Sequence, residues 1–151
     1  MKFTCTKSDF NNGINIALKA VPGKTTMPIL GYVVIEAKDD YIKMTTNDMQ
    51  LGIETKVPAQ VQEPGVILMN AKMISEYVRR LPDDDINFEV DEQNNILLFC
   101  GRSKFSIPGM DNDEFPKLPD IEVDSKIEIS QFTLREMIQQ TIFSISDNES
   151  N

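Results

Sequence analysis

The chain has 151 residues, is 40% hydrophobic and 26% charged, and carries a formal net charge of −9. This is the composition of an ordinary globular sequence, large enough for one domain or for one domain and part of another, and it excludes a disordered chain. No apolar run approaches the ~20 residues of a transmembrane helix, and MKFTCTKSDF lacks the apolar stretch of a secretory signal, so a cytoplasmic location is expected.

In chain order, KFTCT alternates Phe3 and Cys5 with polar neighbours and reads as a strand. Ser8 stands where a helix N-cap belongs, ahead of Phe10, Ile14, Ala17, Leu18 and Val21 at helical spacing, and Pro22-Gly23 stops the run. ILGYVVIEA is strongly β-prone. Asp39-Asp40 turns it into YIKMTT, and Asn47-Asp48 turns that into MQLGIETKV. Residues 1–57 thus read βαβββ. The order then recurs over residues 65–107. GVILM is a strand, and Asn70 caps a helix with Ile74, Tyr77, Val78 and Leu81 on one face. INFEV and NILLFCG join through DEQNN as a hairpin, and KFSI closes the set.

Pro116 and Pro119 interrupt this pattern. Beyond them KIEISQFTLREMIQQTIFSI, from Lys126, runs in phase with KFTCTKSDFNNGINIALKAV, from Lys2. Phe3 falls on Ile127, Cys5 on Ile129, Phe10 on Leu134, Ile14 on Ile138, Leu18 on Ile142 and Val21 on Ile145. The expected organisation is one domain over residues 1–119, then the opening strand and helix of an incomplete second domain over 120–151. A lone strand and helix packed back on the first domain is the other arrangement the pattern allows.

Charge is unevenly spread. Residues 1–108 hold 12 Lys+Arg and 14 Asp+Glu, whereas residues 109–151 hold 3 and 10. The acidity sits in the linker and tail, which leaves room for local basic patches before them. Lys72 and Arg79 project almost opposite the core stripe of the second helix, with Arg80 nearby and Glu76 sharing the face. Ser8, Asn12, Asn15 and Lys19 lie opposite the stripe of the first helix. Lys7 precedes that helix and Lys24 sits in the loop after it. Cations and amides with few carboxylates suit contact with phosphates regardless of base sequence. On composition alone an ordinary solvated helix face also accounts for them.

Other features carry less. There is no histidine, so the usual general base and the commonest metal ligand are missing. Cys5 and Cys100 have no metal-like spacing and read as buried small apolar residues. GKT at 23–25 fails as a phosphate loop because Leu18 stands where that motif needs glycine. Asp83–Asp85 reads as a solvated turn rather than a cation site. Asn148-Glu149-Ser150 is a glycosylation triplet without meaning in a cytoplasmic chain.

Several stretches together resemble one family. MKFT, MPILGYVVIEA at 27–37, TTNDMQLGI at 45–53, Leu81-Pro82, GRSKFSIPGMDNDEFPKLP at 101–119 and TIFSIS at 141–146 look like the bacterial sliding clamp, the β subunit of DNA polymerase III. The similarity runs the length of the chain and covers the first of three clamp domains and the start of the second. It implies an α+β DNA-clamp fold built from βαβββ repeats, with helices facing the channel and antiparallel sheets outside. It implies a head-to-tail dimeric ring, a non-catalytic processivity factor that tethers the replicative polymerase to duplex DNA without any cofactor. A small non-catalytic protein-interaction domain with a similar α+β repeat is the alternative, and a carboxylate enzyme a remote third reading.

The resemblance also assigns residues. Lys24 matches a family arginine in a loop that reaches toward DNA, and Lys7, Lys72 and Arg79 match basic positions facing the channel. Asn148 falls in a second DNA-touching loop, where Asp147 is unfavourable and Asn151 replaces an arginine. Arg102, Lys104, Phe105 and Ile107 match the strand at the ring-closing interface with the third domain of a second clamp subunit. Phe105 and Ile107 would supply apolar contact there, and the cations would meet carboxylates. Without the resemblance this strand reads as an edge guarded by Lys and Arg. The family's pocket for clamp-loader and polymerase peptides lies between its second and third domains and is expected to be absent from this chain. Phe105 and Ile107 are then expected to stay partly exposed. The helix within 126–145 is expected to lack partners, while KIEIS keeps its strand.

Overall fold

A computed structural model describes residues 1–119 and 126–145. β1 (Lys2–Thr6) and α1 (Lys7–Ala17) arise where the periodicity places them. The cap differs: Thr6, not Ser8, receives the Asp9 N–H on its hydroxyl at 3.1 Å, and its own O–H donates to the Asp9 carboxylate. A cap needs extended backbone, which Thr6 has as the last strand residue and Ser8, already helical, does not. α1 ends at Ala17 and tightens into a 3-10 turn over Leu18–Ala20, before Pro22-Gly23 is reached. Gly13 sits inside α1 because a Cβ there would collide with Val57, so the glycine lets the helix lie close on the strand beneath it.

β2 (Tyr32–Lys38), β3 (Tyr41–Asn47) and β4 (Gly52–Pro58) follow. Pro28–Gly31 forms a 3-10 turn instead of the start of β2, with Pro28 at its start, where a fixed φ and a missing N–H suit a helical turn. Met49–Leu51 belong to a turn rather than to β4, because the Asp48 carboxylate accepts the N–H groups of Gln50 and Leu51. A short strand that the sequence pattern does not announce, β5 (Gln60–Glu63), pairs with β1. The second set is β6 (Gly65–Asn70), α2 (Ala71–Arg80), β7 (Asp85–Val90), β8 (Asn95–Cys100) and β9 (Ser103–Pro108). Asn70 caps α2 as expected, accepting the Met73 N–H at 2.9 Å.

The strands form two antiparallel sheets, one in the order β5-β1-β7-β8-β9 and the other β4-β3-β2-β6. α1 packs on β4, β3 and β1 and lies beside α2, which rests on β2 and β6. One buried cluster joins both sheets and both helices. Its centre stacks Phe3 on Phe88 at 4.6 Å between ring centroids, with Phe10 at 6.4 Å from Phe88.

The two thiols are buried in this core, as expected. Cys5 stands opposite Ile86, and Ile86 opposite Cys100, on adjacent strands. Two interstrand steps of roughly 4.8 Å therefore separate the cysteines, beyond the reach of a disulfide. Burial, aided by the Asp9 and Asp85 carboxylates, pushes the Cys5 thiol from 9.0 up to about 12, and burial raises Cys100 as well. The folded chain keeps a proton that the unfolded chain releases. This contribution is intact below about pH 9 and is lost as pH climbs toward 12, at about 1.4 kcal/mol per unit for Cys5. Urea midpoints followed above about pH 9 are expected to fall less steeply in Cys5→Ala than in the parent, and parallel slopes would refute the linkage.

The chain divides into two compact units, Met1–Leu118 and Pro119–Asn151. In the second unit α3 spans Gln131–Thr141, capped by Ser130, and a 3-10 turn covers Ile142–Ser144. α3 repeats α1 at an offset of 124 residues, with the same length, a hydroxyl cap and the same following turn. Residues 126–130 form no strand, contrary to expectation for KIEIS. A helix satisfies its own backbone, whereas a strand needs a neighbour. Leu134 and Ile138 are 44% and 50% exposed, where their counterparts Phe10 and Ile14 are wholly buried.

Candidate nucleic-acid interface

α1 and α2 lie side by side and turn polar faces to water. Lys72, Arg79 and Arg80 on α2, Asn12, Asn15 and Lys19 along α1 and its following turn, and Lys24 in the loop beyond are all exposed. Among the described residues the ion pairs are Met1–Glu63, Lys2–Glu89, Lys43–Glu36 and Lys43–Glu54. None of them uses a cation of these helix faces, so their charge is available to an anion. Arg79 and Arg80 occupy the last turn of α2, where the helix dipole favours positive charge. The face is not uniformly polar, since Ile16 and Met73 are 45% and 39% exposed on it.

Lys7 departs from expectation. It is the first residue of α1 and half-buried, and its Nζ donates to the Leu81 carbonyl at 2.6 Å. Its ammonium closes the C-terminal end of α2 and is not a free cation on the outer face. Asn148 lies outside the described residues.

The sheet edge at β9 also corrects the expectation. Among the described residues β9 pairs with β8 alone, which leaves its other edge unpaired there. Ile107 is only 1% exposed and belongs to the core. The register sets Ile107 opposite Ile96 and Phe105 opposite Leu98, both buried, so the two-residue period turns Phe105 and Ile107 inward together. Phe105 is partly covered and packs against the Tyr77 ring at 5.1 Å. Lys104 points outward, its Nζ 5.1 Å from the Phe99 ring centroid. Arg102 is not on the strand; it sits exposed in the turn that Gly101 opens at a φ of 54°. Tyr77 is half-buried and packs against the core as the helix phase suggests, and it also lines a groove of about 360 Å³ with Met73, Glu76 and Arg80. The alternation in SKFSIP was the signal that separated inward from outward residues.

Known proteins share this fold. The family model described as DNA polymerase III beta subunit, N-terminal domain, matches residues 1–119. The chain belongs to the DNA polymerase III beta subunit family. The beta sliding clamp of Bacillus subtilis is 35% identical over 99% of this chain, and that of Synechocystis is 34% identical over the same share. The crystal structure of the Bacillus subtilis DNA polymerase sliding clamp superposes with a TM-score of 0.93 at 34% identity, covering 100% of this chain. The chain spans 42% of the length of the first relative and 40% of the second. The α+β class with antiparallel sheets is that of the solved sliding clamps, and membership of the beta subunit family disfavours the reading as an unrelated interaction domain. Among the described residues no helix is long and apolar enough to cross a membrane.

Proposed function

We propose that this chain forms part of a ring-shaped sliding clamp, a non-catalytic factor that holds the replicative DNA polymerase on duplex DNA in the cytoplasm. The observation that carries this reading is that the adjacent helices α1 and α2 and the loop after α1 expose Lys24, Lys72 and Arg79, which make no ion pair among the described residues. Point charges on long side chains attract phosphates without reading bases, which is what sliding requires. Lysine at position 24 keeps the charge but lacks the bidentate fork of arginine, so the hold is loose. The unpaired edge of β9, with Phe105, Lys104 and Arg102, is the seam toward a second clamp subunit. Clamp loader and polymerases would engage a pocket outside this chain.

Fluorescence anisotropy with labelled duplexes tests the DNA contact. Binding by the chain is expected to be weak and equal for two unrelated sequences. Three phosphate contacts would lower affinity roughly forty-fold between about 50 and about 200 mM salt. Tight binding that resisted salt and preferred one sequence would contradict a sliding surface.

A further inference from the structure

The segment that follows β9 is fixed by its backbone yet leaves Met110, Asp111, Asp113 and Glu114 exposed. Met110 exchanges two backbone hydrogen bonds with Leu68, at 2.8 and 2.9 Å, and the Gly109 N–H donates to the Asn94 carbonyl at 2.9 Å. Despite this anchoring the Met110 side chain stays 46% exposed. With Ile29 it forms the apolar floor of a groove of about 440 Å³, whose remaining lining is Asn94, Asp111, Asp113 and Glu114. Glu36, Glu54, Glu63 and Glu89 are each paired with a cation. Among the described residues Asp111, Asp113 and Glu114 have no such partner, and Asp111 accepts the neutral side-chain amide of Asn94 at 3.0 Å.

We infer that this groove docks a basic segment of a partner protein, which sets a large apolar side chain on Ile29 and Met110 and lysine or arginine on the three carboxylates. The unbranched thioether of Met110 adapts its shape to an incoming side chain. Unpaired carboxylates around the floor draw a cationic segment in and reject an acidic one. The same charges repel phosphates, so nucleic acid is not the occupant. The apolar floor distinguishes the groove from a bare acidic rim, which would bind any cation equally. None of its lining residues is among those assigned above to DNA or to the subunit seam.

Amide shift mapping on the ¹⁵N-labelled chain tests this, with a synthetic hexapeptide alternating lysine and leucine as the probe. Saturable shifts confined to Ile29, Asn94 and residues 110–114 are expected. They should vanish in Asp113→Lys/Glu114→Lys. Met110→Ser should weaken binding about fivefold, the effect of losing roughly half a buried methionine side chain. A peptide with serine in place of leucine should bind more weakly. The substituted side chains are exposed, and the rest of each spectrum reports whether the variant is folded. The inference is overturned by non-saturating shifts spread over other acidic stretches such as Asp83–Asp85. Undiminished binding by either variant, or equal binding of the serine peptide, overturns it too.

Discussion

Ile107→Asp is expected to unfold the first unit, whereas Lys104→Asp is expected to leave it folded. Ile107 is 1% exposed and packed opposite Ile96. The substitution forfeits roughly 1.5–3 kcal/mol of apolar burial and puts an unpaired carboxylate where no hydrogen-bond partner compensates, at a further cost of several kcal/mol. Together these rival the roughly 5–15 kcal/mol that holds a typical domain. Lys104, three residues earlier on the opposite face, is exposed and would lose a cation–π contact worth about 0.5–1 kcal/mol. Urea unfolding followed by circular dichroism measures the contrast. An Ile107→Asp chain as stable as the parent would mean that β9 does not close the core. The practical consequence concerns the seam: substitutions at 107 report on folding and those at Phe105 disturb packing against Tyr77 as well, while the exposed Arg102 and Lys104 are the positions that probe association.

Much of this fold was legible because its elements obey local rules. The repeated βαβββ order, the Asn70 cap and the phase of residues 126–145 on residues 2–21 all follow from periodicity and capping, and α3 duplicates α1 residue for residue. What was not legible depends on neighbours. β5 exists because β1 offers it an edge, and nothing in GlnValGlnGlu at 60–63 announces that. KIEIS has a strand's alternation, yet among the described residues nothing pairs with it, so the pattern alone does not make a strand. Candidate residues divide the same way. Lys24, Lys72 and Arg79 are exposed as helix phase and loop position suggest, whereas Lys7 is drawn to the Leu81 carbonyl, a contact set by the approach of α2. Ile107 is buried because the two-residue alternation turns it inward opposite Ile96, which resemblance to an interface strand does not reveal.

Reversing three charges, Lys24→Glu, Lys72→Glu and Arg79→Glu, is expected to abolish the association of the chain with duplex DNA and with it the salt dependence. These side chains are exposed and make no ion pair among the described residues, so the fold should survive. Each reversal replaces an attraction for phosphate by a repulsion. In a chain of net charge −9, little other attraction is left to compensate. The most direct measurement is amide shift mapping of the parent chain with a short duplex at low salt. The account predicts small, salt-sensitive shifts, alike for unrelated sequences, gathered on residues around Lys24 and on the outer faces of α1 and α2. Shifts gathered instead on the outward faces of β3 and β8, or shifts in the triple variant equal to those of the parent, would contradict it.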